Sequence, residues 1–217
     1  MSFPIDKVYA TLEEEFPKWH VPIIELVEAQ TKDPFKILLA TILSARTKDA
    51  TTAQATKQLF KKVNTLADLE HISLDELTKL IYPVGFYKVK AKHLKQLPQV
   101  LQEKFAGVLP LTVEELILLP GVGRKTANLV VAVGFKKPAI CVDIHMHRIN
   151  NRFGYVQTKT PYETEMALRK KLPLQYWISY NTYIVAFGQK ICTPLSPHCS
   201  NCPVAPYCKK VGVVKNR

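Results

Sequence analysis

Leu119-Pro120-Gly121-Val122-Gly123-Arg124-Lys125-Thr126-Ala127 is the stretch on which the fold turns. Helical apolar spacing lies on both sides of it, and its two glycines permit a very tight turn between the helices. The backbone N–H groups opening the second helix stay exposed, because the first N–H groups of any helix lack partners within it. Such a helix start binds a phosphate without reading base sequence, and Arg124 and Lys125 add positive charge beside it. The plainer reading is a Gly-containing helical hairpin with no ligand. Local sequence leaves both open.

The pattern on either side is helical. Ile5, Val8, Tyr9, Leu12 and Phe16 make one apolar stripe at helix spacing. Asp33-Pro34 reads as an N-cap with a first-turn proline, and the run from Phe35 to Leu43 is apolar on nearly every face, as a buried central helix would be. Capping pairs at Ser73/Glu76, Thr112/Glu115 and Thr160/Glu163 open three more helices. A further helix is predicted from Lys88 to Phe105, bent or split by Pro98. Another apolar, aromatic segment runs from Leu174 to Lys190 and is expected to end at Gly188. No stretch alternates as a strand does, so the expectation is an all-α fold of about ten helices with short loops.

The 217 residues suffice for one large or two small domains with real cores. Lys and Arg outnumber Asp and Glu by 30 to 18, a net charge of +12 that suits a polyanionic partner. No apolar run approaches the roughly 20 residues of a membrane span, so no membrane partner is expected. The first residues, with Glu13, Glu14 and Glu15, lack the basic-then-apolar order of a signal peptide, and the expected location is cytoplasmic. In such a compartment clustered cysteines point to metal ligation rather than disulfides. Cys192, Cys199, Cys202 and Cys208 follow the spacing Cys-x6-Cys-x2-Cys-x5-Cys within a Pro-rich coil. Four thiolates suit zinc or an iron–sulfur cluster, and spacing alone does not choose. Cys141, in an apolar stretch, reads as a small buried hydrophobe.

Eighteen residues beyond Lys125 comes Val142-Asp143-Ile144-His145-Met146-His147-Arg148-Ile149. The hairpin with its lysine, then this aspartate, resembles the endonuclease III family of helix-hairpin-helix DNA glycosylases. Ser44-Ala45-Arg46-Thr47-Lys48-Asp49, Gly85-Phe86-Tyr87 and the cysteine spacing are similar too, so the resemblance covers nearly the whole chain. It implies a six-helix barrel domain over residues 25–136 that carries the hairpin. Residues 1–24 and 137–217 would form a discontinuous helical domain holding a 4Fe-4S cluster on the four cysteines. It also implies a bifunctional DNA glycosylase and AP lyase of base excision repair. Such an enzyme would act as a monomer on double-stranded damaged DNA, nucleoid-associated in a prokaryote, removing oxidised pyrimidines and nicking the strand.

The chemistry suits the two residues that match. Breaking an N-glycosidic bond builds positive charge on the sugar, which the Asp143 carboxylate would stabilise. A lysine amine at Lys125 would attack C1′ and form a Schiff base that eases β-elimination of the 3′ phosphate. An ordinary lysine costs roughly 4.6 kcal/mol to hold neutral at pH 7, and a helix start beside Arg124 is a position that disfavours extra positive charge. Family relatives that only remove the base lack lysine here. The plain readings are a phosphate contact for Lys125 and an N-cap for Asp143; His145 and His147 read as structural.

By the same resemblance Gly121, Val122, Gly123 and Arg124 contact DNA, and Arg46 and Phe86 fill the gap left by a flipped nucleotide. The bacterial family pattern has glutamine and leucine at these two places, so lesion preference stays open. A solvated helix-end charge and a core aromatic are the plain alternatives. The rival functions are a uracil or mismatched-thymine glycosylase on the same scaffold, or a non-catalytic DNA-binding protein with a redox-responsive cluster.

Overall fold

The structure, a computed structural model, describes residues 3–217; the part of the expected second domain at residues 1 and 2 lies outside them. Among the described residues there are twelve α-helices and no strand. They are α1 (Ile5–Glu15), α2 (Ile23–Thr31), α3 (Pro34–Ser44), α4 (Asp49–Leu59), α5 (Leu66–His71) and α6 (Leu74–Ile81). There follow α7 (Tyr87–Phe105), α8 (Val113–Leu116), α9 (Arg124–Leu129), α10 (Ile144–Phe153), α11 (Pro161–Lys171) and α12 (Tyr180–Lys190). No described helix is long and apolar enough to cross a membrane. The chain divides into two compact units, residues 23–137 and residues 3–22 with 138–217.

In the unit of residues 23–137, α3 is the central helix, packed against α2, α4, α7 and α9. Asp33 caps it by accepting the Phe35 N–H, Pro34 opens its first turn, and every residue from Ile37 to Leu43 is buried. A fully buried Leu or Ile contributes roughly 1.5–3 kcal/mol, so this all-round apolar helix is a large part of the unit's stability. Two short helices exceed the expected count, α5 among them. Its capping box uses Thr65 and Asp68, with aspartate where the usual signature has Glu or Gln.

Pro98 does not split α7, which runs unbroken for 19 residues. Proline removes a single N–H donor, and burial of Leu94, Leu97, Pro98 and Leu101 holds the helix together across it. Lys95 of α7 reaches the carbonyls of Leu69, Glu70 and Ile72 and so satisfies the end of α5.

In the other unit, α1 packs on α12 and α10 packs on α11 and α12. Val8, Leu12, Met146, Ile149, Tyr180 and Phe187 are central to this core. The Tyr180 hydroxyl is buried and donates to Asn150 Oδ1 at 2.9 Å, whereas the buried Tyr155 hydroxyl of the same core has no hydrogen-bond partner among the described residues.

Gly188 corrects an expectation: α12 continues to Lys190 through it. A Cβ at this position would lie 2.5 Å from His145 Nδ1 and 2.8 Å from Ile149 Cδ1. The glycine lets α10 and α12 approach closely rather than ending the helix. In Gly188→Ala the roughly 1 kcal/mol gained in helix propensity is expected to lose to overpacking of about 1–3 kcal/mol. Urea unfolding should show a net loss of about 1 kcal/mol; a stabilised variant would mean the helices part freely.

Candidate active site

The hairpin is built from local rules. Thr112 caps α8 by accepting the Glu115 N–H, and its hydroxyl donates to Glu115 Oε2 at 2.6 Å. The chain then turns, with the Val122 N–H donating to Leu119 O at 3.1 Å. Gly121 has φ +75°, and a Cβ there would sit 2.8 Å from His93 Nδ1, so conformation and space both demand glycine. Val122 is buried, leaving its main chain as the part that a ligand can meet.

Gly123 differs from Gly121. It is the N-cap of α9 with φ −93°, a conformation open to any residue, and nothing lies within 4 Å of where its Cβ would be. Neither backbone nor neighbours require a glycine at this point, and its bare backbone faces open space at the helix start. Lys125 follows in the first turn of α9 and is exposed. Beyond Leu129 the helix widens into a π turn, Val130–Gly134, with the Phe135 N–H donating to Val130 O.

Asp143 belongs to the unit of residues 3–22 and 138–217. Its Oδ1 accepts the N–H groups of His145 at 2.9 Å and Met146 at 2.8 Å, which makes it the N-cap of α10. These bonds fix the carboxylate's orientation, and Asp143 is 9% exposed. His145 Nδ1 pairs with Arg148 Nη2, and His147 Nδ1 meets Thr164 Oγ1 at 2.7 Å, so both histidines have structural partners. Cys141 is buried, as a small hydrophobe would be.

Arg46 and Phe86, 40 residues apart, come together. Both have left-handed backbones, φ +53° and +58°, and the Arg46 guanidinium lies 5.6 Å from the centre of the Phe86 ring. Phe86 is 61% exposed and therefore not a core aromatic. Thr47 and Gly85, which the sequence offers only as part of the family resemblance, are what hold this pair from beneath. Gly85 is required because a Cβ would meet Arg46 O at 2.5 Å, and its N–H donates to Thr47 Oγ1 at 3.0 Å.

Cys192, Cys199, Cys202 and Cys208 line one cavity together with Arg152 and Lys210. Arg152 donates to Cys192 Sγ at 3.3 Å and to Thr193 O at 2.7 Å, and the Lys210 N–H donates to Cys208 Sγ at 3.3 Å. Burial, and then the charges of the other three cysteines, push the Cys202 thiol up to about 11 despite a bond from the Val204 N–H. Among the described residues no three His, Cys, Asp or Glu side chains could hold a metal ion as placed. The fit of a cofactor therefore rests on the cavity that the four cysteines share and on the donors aimed at Cys192 and Cys208.

Residues 39–174 match the HhH-GPD superfamily of base excision DNA repair proteins. An endonuclease III from Thermotoga maritima is 42% identical over 218 residues, with 98% of each chain covered. The structure is similar to that of a non-covalent endonuclease III–DNA complex, with TM-score 0.84, 36% identity and 97% of each chain covered. It is also similar to a trapped endonuclease III–DNA covalent intermediate, with TM-score 0.82 and 37% identity, covering 94% of this chain and 95% of that one.

Proposed function

The chain belongs to the endonuclease III family within the HhH-GPD superfamily of base excision DNA repair proteins, and from that we propose that it is a bifunctional DNA glycosylase and AP lyase acting on oxidised pyrimidines in duplex DNA. The observation that carries the reading is an exposed lysine in the first turn of α9, two residues beyond the bare backbone of Gly123. In this reading the main chain of Gly121–Gly123 and the Arg124 side chain take a backbone phosphate. Arg46 and Phe86 occupy the space of the extruded nucleotide, at the few kcal/mol that unstacking requires.

The Asp143 carboxylate stabilises the cationic sugar as the glycosidic bond breaks and the base departs with the bonding electrons. The neutral Lys125 amine bonds to C1′ and gives up a proton. The C1′–O4′ bond then breaks, O4′ leaving as the protonated hydroxyl of the opened sugar and C1′ becoming an iminium on the lysine nitrogen. The resulting iminium acidifies C2′; loss of that proton expels the 3′ phosphate, and water releases the lysine. A relative trapped as a covalent DNA intermediate supports a mechanism with such an adduct.

Residues 25–136 are read as the barrel domain and residues 1–24 with 137–217 as the cluster domain. Cys192, Cys199, Cys202 and Cys208 would hold a 4Fe-4S cluster, which when bound organises a coil with little core of its own. Lys209, Lys210 and Arg217 are near enough in sequence to add phosphate contacts. The purified protein is expected to be brown with broad visible absorbance. Cys202→Ala should lose most of that absorbance and its iron; a colourless, zinc-loaded wild type would overturn the cofactor assignment.

Borohydride reduction of wild-type protein with a thymine-glycol duplex tests the function. A covalent protein–DNA adduct and a nicked strand are expected. Base loss with neither adduct nor nick would reduce the chain to a simple glycosylase.

A further inference from the structure

Lys90 stands out among the lysines of α7. It is 6% exposed, although lysine is among the residues least often buried. Its ammonium donates to Leu43 O at 2.7 Å, Ala45 O at 2.6 Å and Thr47 Oγ1 at 3.2 Å. Those oxygens flank Arg46 on both sides. Its own backbone N–H donates to Phe86 O at 3.0 Å. That bond is the ordinary first-turn bond of α7, whose N-cap is Phe86; what is particular to Lys90 is its ammonium, which ties the turn that carries Arg46 to the first turn of that helix.

Both Arg46 and Phe86 hold a costly backbone conformation. It is left-handed, which is disfavoured for side chains of this size. Thr47 extends the latch: its hydroxyl also accepts the Gly85 N–H, and its N–H donates to Ser44 O at 3.0 Å. Burial lowers the Lys90 ammonium to about 8, a penalty that an apolar side chain of equal length would avoid. Core packing therefore does not account for a lysine here, whereas three convergent acceptors around an exposed arginine do.

We propose that Lys90 is a positioning residue for the nucleotide-extrusion step, holding the turn at residues 45–47 so that Arg46 and Phe86 enter the duplex as one unit. The inference rests on the reading of Arg46 and Phe86 as the residues that fill the flipped nucleotide's place. Lys90 touches no substrate in this scheme and acts through the turn.

Two substrates separate positioning from general loss of structure. A thymine-glycol duplex needs extrusion; a single-stranded abasic oligonucleotide does not. In single-turnover nicking, Lys90→Met is expected to be at least ~10-fold slower on the duplex and within about twofold of wild type on the single strand. Adding Lys90→Met to Arg46→Ala/Phe86→Ala should slow the duplex reaction no further, because residues acting through one unit are non-additive. Amide exchange of residues 44–48 and 84–88 should rise in Lys90→Met. If Lys90→Met does not fold, Thr47→Val carries the same comparisons with a smaller change.

The failures are distinguishable. If Arg46→Ala/Phe86→Ala keeps the wild-type duplex rate, the extrusion reading is wrong and the positioning role falls with it. If that double variant is slow but Lys90→Met is not, or if the losses multiply, extrusion stands and Lys90 is only a buried cap. Equal losses on both substrates also overturn positioning.

Discussion

Lys125→Ala is expected to abolish the borohydride-trapped adduct and to slow β-elimination by at least ~1000-fold, the scale of removing a covalent nucleophile. The side chain is exposed, so melting should stay within about 0.5 kcal/mol of wild type. Slow release of the damaged base should persist, because Asp143 remains to stabilise the sugar cation and water can attack C1′ in place of the amine. Gel assays with and without heating in alkali separate the outcomes: base loss without a nick appears only after alkali. A variant that still forms the adduct would assign the nucleophile to another amine. A variant that loses duplex binding as well would make Lys125 a phosphate contact.

Asp143→Asn is the sharper companion experiment, since Asp143 is both a cap and the proposed carboxylate. Asparagine caps a helix about as well as aspartate, and its Oδ1 can accept the same two N–H groups from His145 and Met146. Only the charge is lost, worth less than about 1 kcal/mol to the helix start. Base removal should nevertheless fall by ~100- to 1000-fold, or about 3–4 kcal/mol of transition-state stabilisation. Asp143→Ala should fall as far in activity and in addition lose about 1 kcal/mol of stability. If Asp143→Asn retains wild-type base removal, Asp143 is a cap and nothing more. Measuring activity beside thermal unfolding on both variants separates the two roles.

Much of the site was legible because its signals are local. Gly121 needs a positive φ, Thr112 caps α8 through the N–H of Glu115 three residues on, and Asp143 precedes α10 as a cap should. The reading failed where a residue's reason lies across the fold. Gly188 resembles a helix stop by position, yet its glycine answers to His145 and Ile149 on α10. Pro98 resembles a breaker, but the buried side chains around it outweigh one missing donor. Lys90 sits among other lysines of an exposed-looking stretch, and nothing nearby in sequence announces the three oxygens it reaches.

The hairpin Leu119–Ala127 and the four-cysteine spacing are decided by the sequence itself, because turn geometry and ligand spacing depend on neighbours a few residues away. The all-α class follows from helix-period apolar faces in the same way. The placing of Arg46 over the Phe86 ring, the latch of Lys90 beneath them, and the open space at Gly123 are decided only by the tertiary structure. Each depends on groups brought together from distant parts of the chain, or on what the packed fold leaves empty, and neither leaves a periodic mark in sequence.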